Sequence, residues 1–114
     1  MNFKLIISMV KTTETDKIVD AAKAAGGTGA TIIPAHVTGI HEAKTFFGLT
    51  LEARTDVILF LLEEGLVESV MSAIYRSGRL KEPGTGIAFV MDVEQAVGLE
   101  SQIEHFKGQA KRNG

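Results

Sequence analysis

At 114 residues, 45% of them hydrophobic, the chain is long enough for one domain that buries about two thirds of its unfolded surface without a covalent staple. It contains no cysteine, which excludes disulfides, thiolate metal sites and cysteine nucleophiles. A formal net charge of −2 supplies no overall attraction to nucleic acid or to anionic lipid.

The apolar residues 1–10 are too few to span a bilayer and lack the basic start and cleavage site of a secretory signal, so a cytoplasmic domain is expected. Residues 3–10 (FKLIISMV) read as a first strand, apolar enough to be central. Thr13 and Asp16 have the spacing of a capping box. The helix behind them carries Ile18, Val19, Ala22 and Ala25 on one face and turns Lys17, Asp20 and Lys23 to water. Gly26 and Gly27 end it. A second strand is expected over residues 28–37, at a sheet edge or bulged, because Pro34 lacks an N–H.

Residues 38–54 show no clean period and, at about seventeen residues, exceed a plain connection, which marks a candidate functional loop. Residues 55–62 (TDVILFLL) form a third strand. Glu63-Glu64-Gly65 turns into a second helix with an apolar stripe of Leu66, Val67, Val70, Met71, Ile74 and Tyr75, closed by Arg76-Ser77-Gly78. A basic, proline-ended loop, residues 79–83, leads to Gly84-Thr85-Gly86 and a fourth strand over residues 87–93. A short strand is expected at residues 96–99. Residues 100–114 form a polar tail to a single domain whose core is 3–99.

The tripeptide Gly-Thr-Gly occurs twice, at residues 27–29 and 84–86, each time between a helical pattern and an apolar run. The chain therefore reads as two similar halves, βαββαβ. That is the α+β, ferredoxin-like arrangement of a four-stranded antiparallel sheet with two helices on one face. Many functions share that fold, so function must come from the site.

His36, His41 with its neighbour Glu42, and His105 match no zinc spacing. Ser8, Ser69, Ser72, Ser77 and Ser101 lack a nucleophile elbow or a His/Asp partner. Asp56 and Asp92 stand at strand ends as turn or edge residues rather than as an acid/base pair, and Met9, Met71 and Met91 read as core fillers. What remains is an anion cradle. Arg76, Arg79 and Lys81 flank a loop ending in two glycines whose bare N–H groups can meet an anion; a solvated basic loop is the alternative.

The order of elements, Thr28-Gly29 ahead of the second strand, the long loop after Gly39, and Gly84-x-Gly86 leading into Phe89-Val90-Met91-Asp92-Val93 together resemble the PII signal-transduction superfamily, over residues 3–99. The resemblance implies a cytoplasmic, non-enzymatic homotrimer. It also implies that an adenine nucleotide (ATP, ADP or AMP) binds in clefts between subunits with no metal required. Each cleft would combine a T-loop, a glycine-containing B-loop and a C-terminal segment. By the same resemblance, Thr28, Gly29 and Thr31 match the threonine-glycine stretch that contacts nucleotide, Gly39 the base of the T-loop, and Gly84 and Gly86 the B-loop glycines. Thr85 lies between the latter, and Arg76, Arg79 and Lys81 are the available phosphate partners.

Departures from the family pattern carry expectations too. Ile87 stands where the family has a phosphate-binding lysine, and Gly98 and Glu100 stand in place of two arginines, so ADP or AMP should rival ATP. The T-loop is shorter and lacks the glutamine tied to 2-oxoglutarate and the tyrosine that is nucleotidylated. Its residues His41, Lys44, Phe46, Phe47, Gly48 and Leu49 form the expected partner-binding surface, directed by resemblance at a membrane transporter from its cytoplasmic side. An ACT-like amino-acid sensor and a trimeric metal-tolerance protein are the alternatives on the same kind of fold.

Overall fold

The computed structural model describes residues 2–36, 45–46, 49–50 and 54–99, with 45–46 and 49–50 described by backbone alone. Strand β1 (Phe3–Lys11) sets the architecture by alternation: Ile6, Ser8 and Val10 are buried while Leu5, Ile7 and Met9 are half-buried. Helix α1 (Thr15–Ala24), strand β2 (Thr31–Ala35), the two-residue strands β3 (Thr45–Phe46) and β4 (Leu49–Thr50), strand β5 (Thr55–Glu63), helix α2 (Val67–Ser77) and strand β6 (Gly86–Asp92) follow.

The main sheet runs β2-β5-β1-β6 and every pairing is antiparallel. β1 is central, and β2, which pairs with β5 alone, is an edge strand as Pro34 requires. Because directly opposed residues share a face, the register sorts the side chains. Ile6, Val10, Ile58, Phe60 and Leu62 meet Ile18, Val19 and Ala22 of α1 and Val70 and Ile74 of α2 in one buried core. Each of the larger side chains, Ala22 apart, contributes up to about 1.5–3 kcal/mol relative to exposure. Ser8 lies on this face too, fully buried, and its hydroxyl has no hydrogen-bond partner among the described residues.

The other face carries two cross-strand apolar rows, Leu61–Leu5–Met91 and Leu59–Ile7–Phe89, and neither helix lies on it. Met91 is 51% exposed there, so it is not the core filler expected, and Met9 shares that face. Both lie on the helix-free face because residues 9 and 91 have the parity of Leu5, not of Ile6, whereas Met71 on α2 does pack against the core.

Both helices are entered through single 3-10 turns, Thr12–Glu14 and Glu64–Leu66, and neither makes a side-chain cap hydrogen bond. The capping box expected at Thr13 is therefore absent: the 3-10 turn leaves Thr13 one residue ahead of the cap position, which Glu14 occupies before α1 begins at Thr15. Leu66 belongs to the second 3-10 turn and Tyr75 lies one residue round the helix from buried Ile74, so neither joins the core; Tyr75 is 50% exposed.

The helix ends are a matched pair with one exchange. After α1, Gly26 takes positive φ (+116°), its N–H reaches the Lys23 carbonyl (3.1 Å), and the Gly27 N–H reaches the Ala22 carbonyl (2.9 Å). After α2 the same two bonds recur, from Arg79 to the Arg76 carbonyl (3.2 Å) and from Leu80 to the Tyr75 carbonyl (3.0 Å). Here an arginine adopts the left-handed conformation, with φ +52°. Gly78, one position earlier, is right-handed. A Cβ there would sit 3.0 Å from Ile18 Cδ1 and 3.1 Å from the Ile74 carbonyl, so this glycine sets the helix–helix spacing instead.

Strand β2 starts later than expected because left-handed Gly29 (φ +66°) takes residues 28–30 out of extended geometry. No strand forms at residues 96–99: the last backbone link to β1 is the Val93 N–H to the Phe3 carbonyl (3.3 Å), and Gly98 turns at φ +86°. In the long loop, β3 and β4 pair as a short hairpin that the aperiodic sequence does not announce. Gly39, His41, Lys44, Phe47, Gly48, Glu100 and His105 lie outside the described residues.

Candidate functional site

The Gly84–Gly86 loop is built from the end of α2. The Arg79 carbonyl accepts the Glu82 N–H (2.9 Å) and lies 3.0 Å from the Thr85 hydroxyl, which is also 2.9 Å from the Glu82 carbonyl. A hydroxyl has one proton, so Thr85 shares it between the two carbonyls and holds the loop on the helix end. Gly84 takes φ +81° and Gly86 φ +143°. Gly86 opposes Val10 across the sheet, and a Cβ on it would lie 2.3 Å from the Met9 carbonyl oxygen. That glycine is demanded by the sheet itself, whatever else it does.

Three cations expected here have three different settings. Arg79 is paired with Glu14 at 3.3 Å, and Glu14 also meets Lys17 at 3.5 Å. Arg76 turns its Nε back to the Ser72 carbonyl (3.4 Å) on its own helix. Lys81 is exposed in the loop. The same end of the sheet holds the exit of the long loop: the Thr12 N–H donates to the Arg54 carbonyl (2.9 Å) and Thr15 Oγ1 to Asp56 Oδ2 (2.6 Å). Sequence reasoning missed Glu14 and Thr15 altogether. Asp56 could have been found, because a carboxyl with the parity of Ile58 and Phe60 must face the helices.

Thr28, Gly29 and Thr31 lie elsewhere. Thr31 opposes Leu59 on β2, while Gly86 opposes Val10 on β6, and these are the two opposite edges of the sheet. Three strand spacings across and three residues along separate them, roughly 17 Å. Thr28, Gly29 and Thr31 are exposed, and nothing stands within 4 Å of where a Gly29 Cβ would be. One copy of the chain therefore does not bring its two glycine loops together.

Among the described residues no three His, Asp or Glu side chains gather as a metal site, and His36 is exposed. Asp56 and Asp92 are at opposite ends of the sheet, the latter hydrogen-bonded to Lys4, so they form no pair. A small pocket lined by Asn2, Phe3, Val93, Glu94, Gln95, Ala96 and Leu99 opens at the end away from Gly86, with no lysine or arginine in its lining. No described helix is long and apolar enough to cross a membrane.

The model of the family described as "Nitrogen regulatory protein P-II" matches residues 3–102. The chain belongs to the P-II family. Solved P-II-like structures share its fold at low identity. A PII-like signalling protein from Thermus thermophilus has a TM-score of 0.60 and 18% identity, covering 82% of this chain and 87% of its own. CPII from Thiomonas intermedia, bound to ADP, AMP and acetate, has a TM-score of 0.64 and 18% identity, covering 86% of this chain and 92% of its own. No curated protein matches the sequence significantly.

Proposed function

We propose that the chain is a non-enzymatic P-II regulatory protein that binds an adenine nucleotide between copies of itself and controls a partner through its long loop. The observation that carries this reading is the placement of Thr28-Gly29 and Gly84–Gly86 at opposite corners of one sheet. A ligand that needs both corners finds them only where two copies meet. The apolar rows on the helix-free face supply the reason to meet, since a sheet covered on one side leaves the other for a neighbour. Three copies around those faces give three such clefts. The ADP and AMP bound to CPII support the choice of ligand.

In this reading Thr28, Gly29 and Thr31 come from one subunit, and Gly84, Thr85 and Gly86 with Arg79 and Lys81 from the next, with Gly39 included on its family resemblance alone. Arg76, bonded to its own helix, is the least available of the cations. With Ile87 and Glu100 where the family has cations, ADP or AMP competes with ATP. No metal is required, and residues 38–54, including His41, Lys44, Phe46, Phe47, Gly48 and Leu49, present the surface that docks on a membrane transporter from the cytoplasm.

Calorimetry with AMP, ADP and ATP, run beside light scattering, tests the reading. A trimer that binds at least one of them at micromolar concentration is expected. A stable monomer, or a trimer indifferent to all three, overturns it.

A further inference from the structure

Glu14 is the residue that the proposed site leaves unexplained. It follows β1 at the end where Val10 meets Gly86, and its carboxylate lies 3.3 Å from Arg79 and 3.5 Å from Lys17. Its side chain is 26% exposed and that of Arg79 57%. An ion pair in such contact with water is weak, and a phosphate, with more charge and more acceptor oxygens, can displace the carboxylate from the guanidinium. The backbone of Arg79 does not move with its side chain: its carbonyl is held by Glu82 and Thr85, and its N–H by Arg76. The guanidinium can therefore swing between two anions while the loop stays in place.

We propose that Glu14 is a specificity-determining residue of this site, a built-in competitor that occupies Arg79 and so lowers the advantage of each added phosphate. The proposal rests on the nucleotide reading above. Glu14 acts on the charge of the ligand and not on its adenine. With Arg79 engaged and Ile87 uncharged, the unperturbed site favours nucleotides with few phosphates. Removing the carboxylate releases Arg79 and shifts preference toward ADP and ATP. Lys17, which meets the same carboxylate at 3.5 Å from its place three residues on in α1, is released with it.

The experiment is calorimetric titration of the full chain and of Glu14→Gln, Arg79→Gln and the double variant with adenosine, AMP, ADP and ATP. Glu14→Gln is expected to bind ADP and ATP about three- to tenfold more tightly, with adenosine unchanged. Arg79→Gln is expected to weaken ADP about tenfold, and the double variant to match it, because the gain requires the guanidinium. Arg79→Lys, which keeps the charge, should retain part of the gain. A Glu14→Gln gain that is absent, equal for adenosine, or preserved in the double variant overturns the proposal while leaving nucleotide binding intact. If no form of the protein binds any of the four compounds, the site reading falls and this proposal falls with it. Both side chains are on the surface, so circular dichroism should show every variant folded.

Discussion

Thr15 Oγ1 donates a hydrogen bond of 2.6 Å to Asp56 Oδ2, and both residues are buried. The first residue of α1 is thereby tied to the second residue of β5, next to the Thr12–Arg54 backbone bond that fixes the exit of the long loop. Thr15→Val keeps the shape and removes the donor. It should cost about 1–3 kcal/mol, because it strips a partner from a buried carboxyl. Urea unfolding monitored by circular dichroism measures it, and a variant as stable as wild type would show the bond to be dispensable.

Ser8 is the opposite case. Its hydroxyl is buried among Ile6, Val10, Ile58 and Ala88 without a partner among the described residues. Ser8→Ala removes an unmet polar group and should raise stability by about 1 kcal/mol. A destabilised variant would mean that the hydroxyl is bonded after all.

The two glycine loops should respond unequally to alanine. Gly86→Ala drives a Cβ to 2.3 Å from the Met9 carbonyl, which β1 cannot yield without breaking its ladder; a loss of about 3 kcal/mol or more, seen as misfolding on expression, is expected. Gly29→Ala meets open space and suffers only from its left-handed φ, about 1 kcal/mol. Gly29→Ala should thus keep the fold and is the variant with which the nucleotide contact proposed for Gly29 can be tested, and thermal melts of the two variants should differ accordingly.

Lys4 pairs across the sheet with Asp92, and that hydrogen bond holds the ammonium group above its ordinary value of 10.5 against the opposing effect of desolvation. A raised folded value means that the pair stabilises fully below pH 10.5 and ceases to do so as the pH climbs past the folded value. Asp92→Asn should therefore unfold at lower urea than wild type near pH 9, with the gap closing as the pH climbs past 10.5 and through the raised folded value. A gap that is constant across this range would assign the effect of Asp92 to something other than the pair.

Most of the fold was legible because alternation and turn residues agree. Pro34 announced the edge strand, the apolar run at residues 3–10 the central one, and Gly26 with Gly27 a helix end that the backbone then realised. What failed was local. Thr13 has the spacing of a cap, yet a 3-10 turn intervenes. Gly78 looks like the left-handed residue after α2, yet contact with Ile18 reserves it for spacing and leaves the turn to Arg79. The site was half legible. Glycines and cations could be read off the chain, but their distribution over two corners follows from strand register, and Glu14 becomes visible only when α1 is packed beside α2.

Tyr75 gives the helix end an optical use. The chain has one tyrosine and no tryptophan, so its intrinsic ultraviolet emission comes from a single half-exposed ring. The carbonyl of that residue accepts the Leu80 N–H in the turn that sets up Arg79, Thr85 and Gly86. Fluorescence of the unlabelled protein is thus a reporter on one place, and rearrangement of that turn can be followed in real time without attaching a dye.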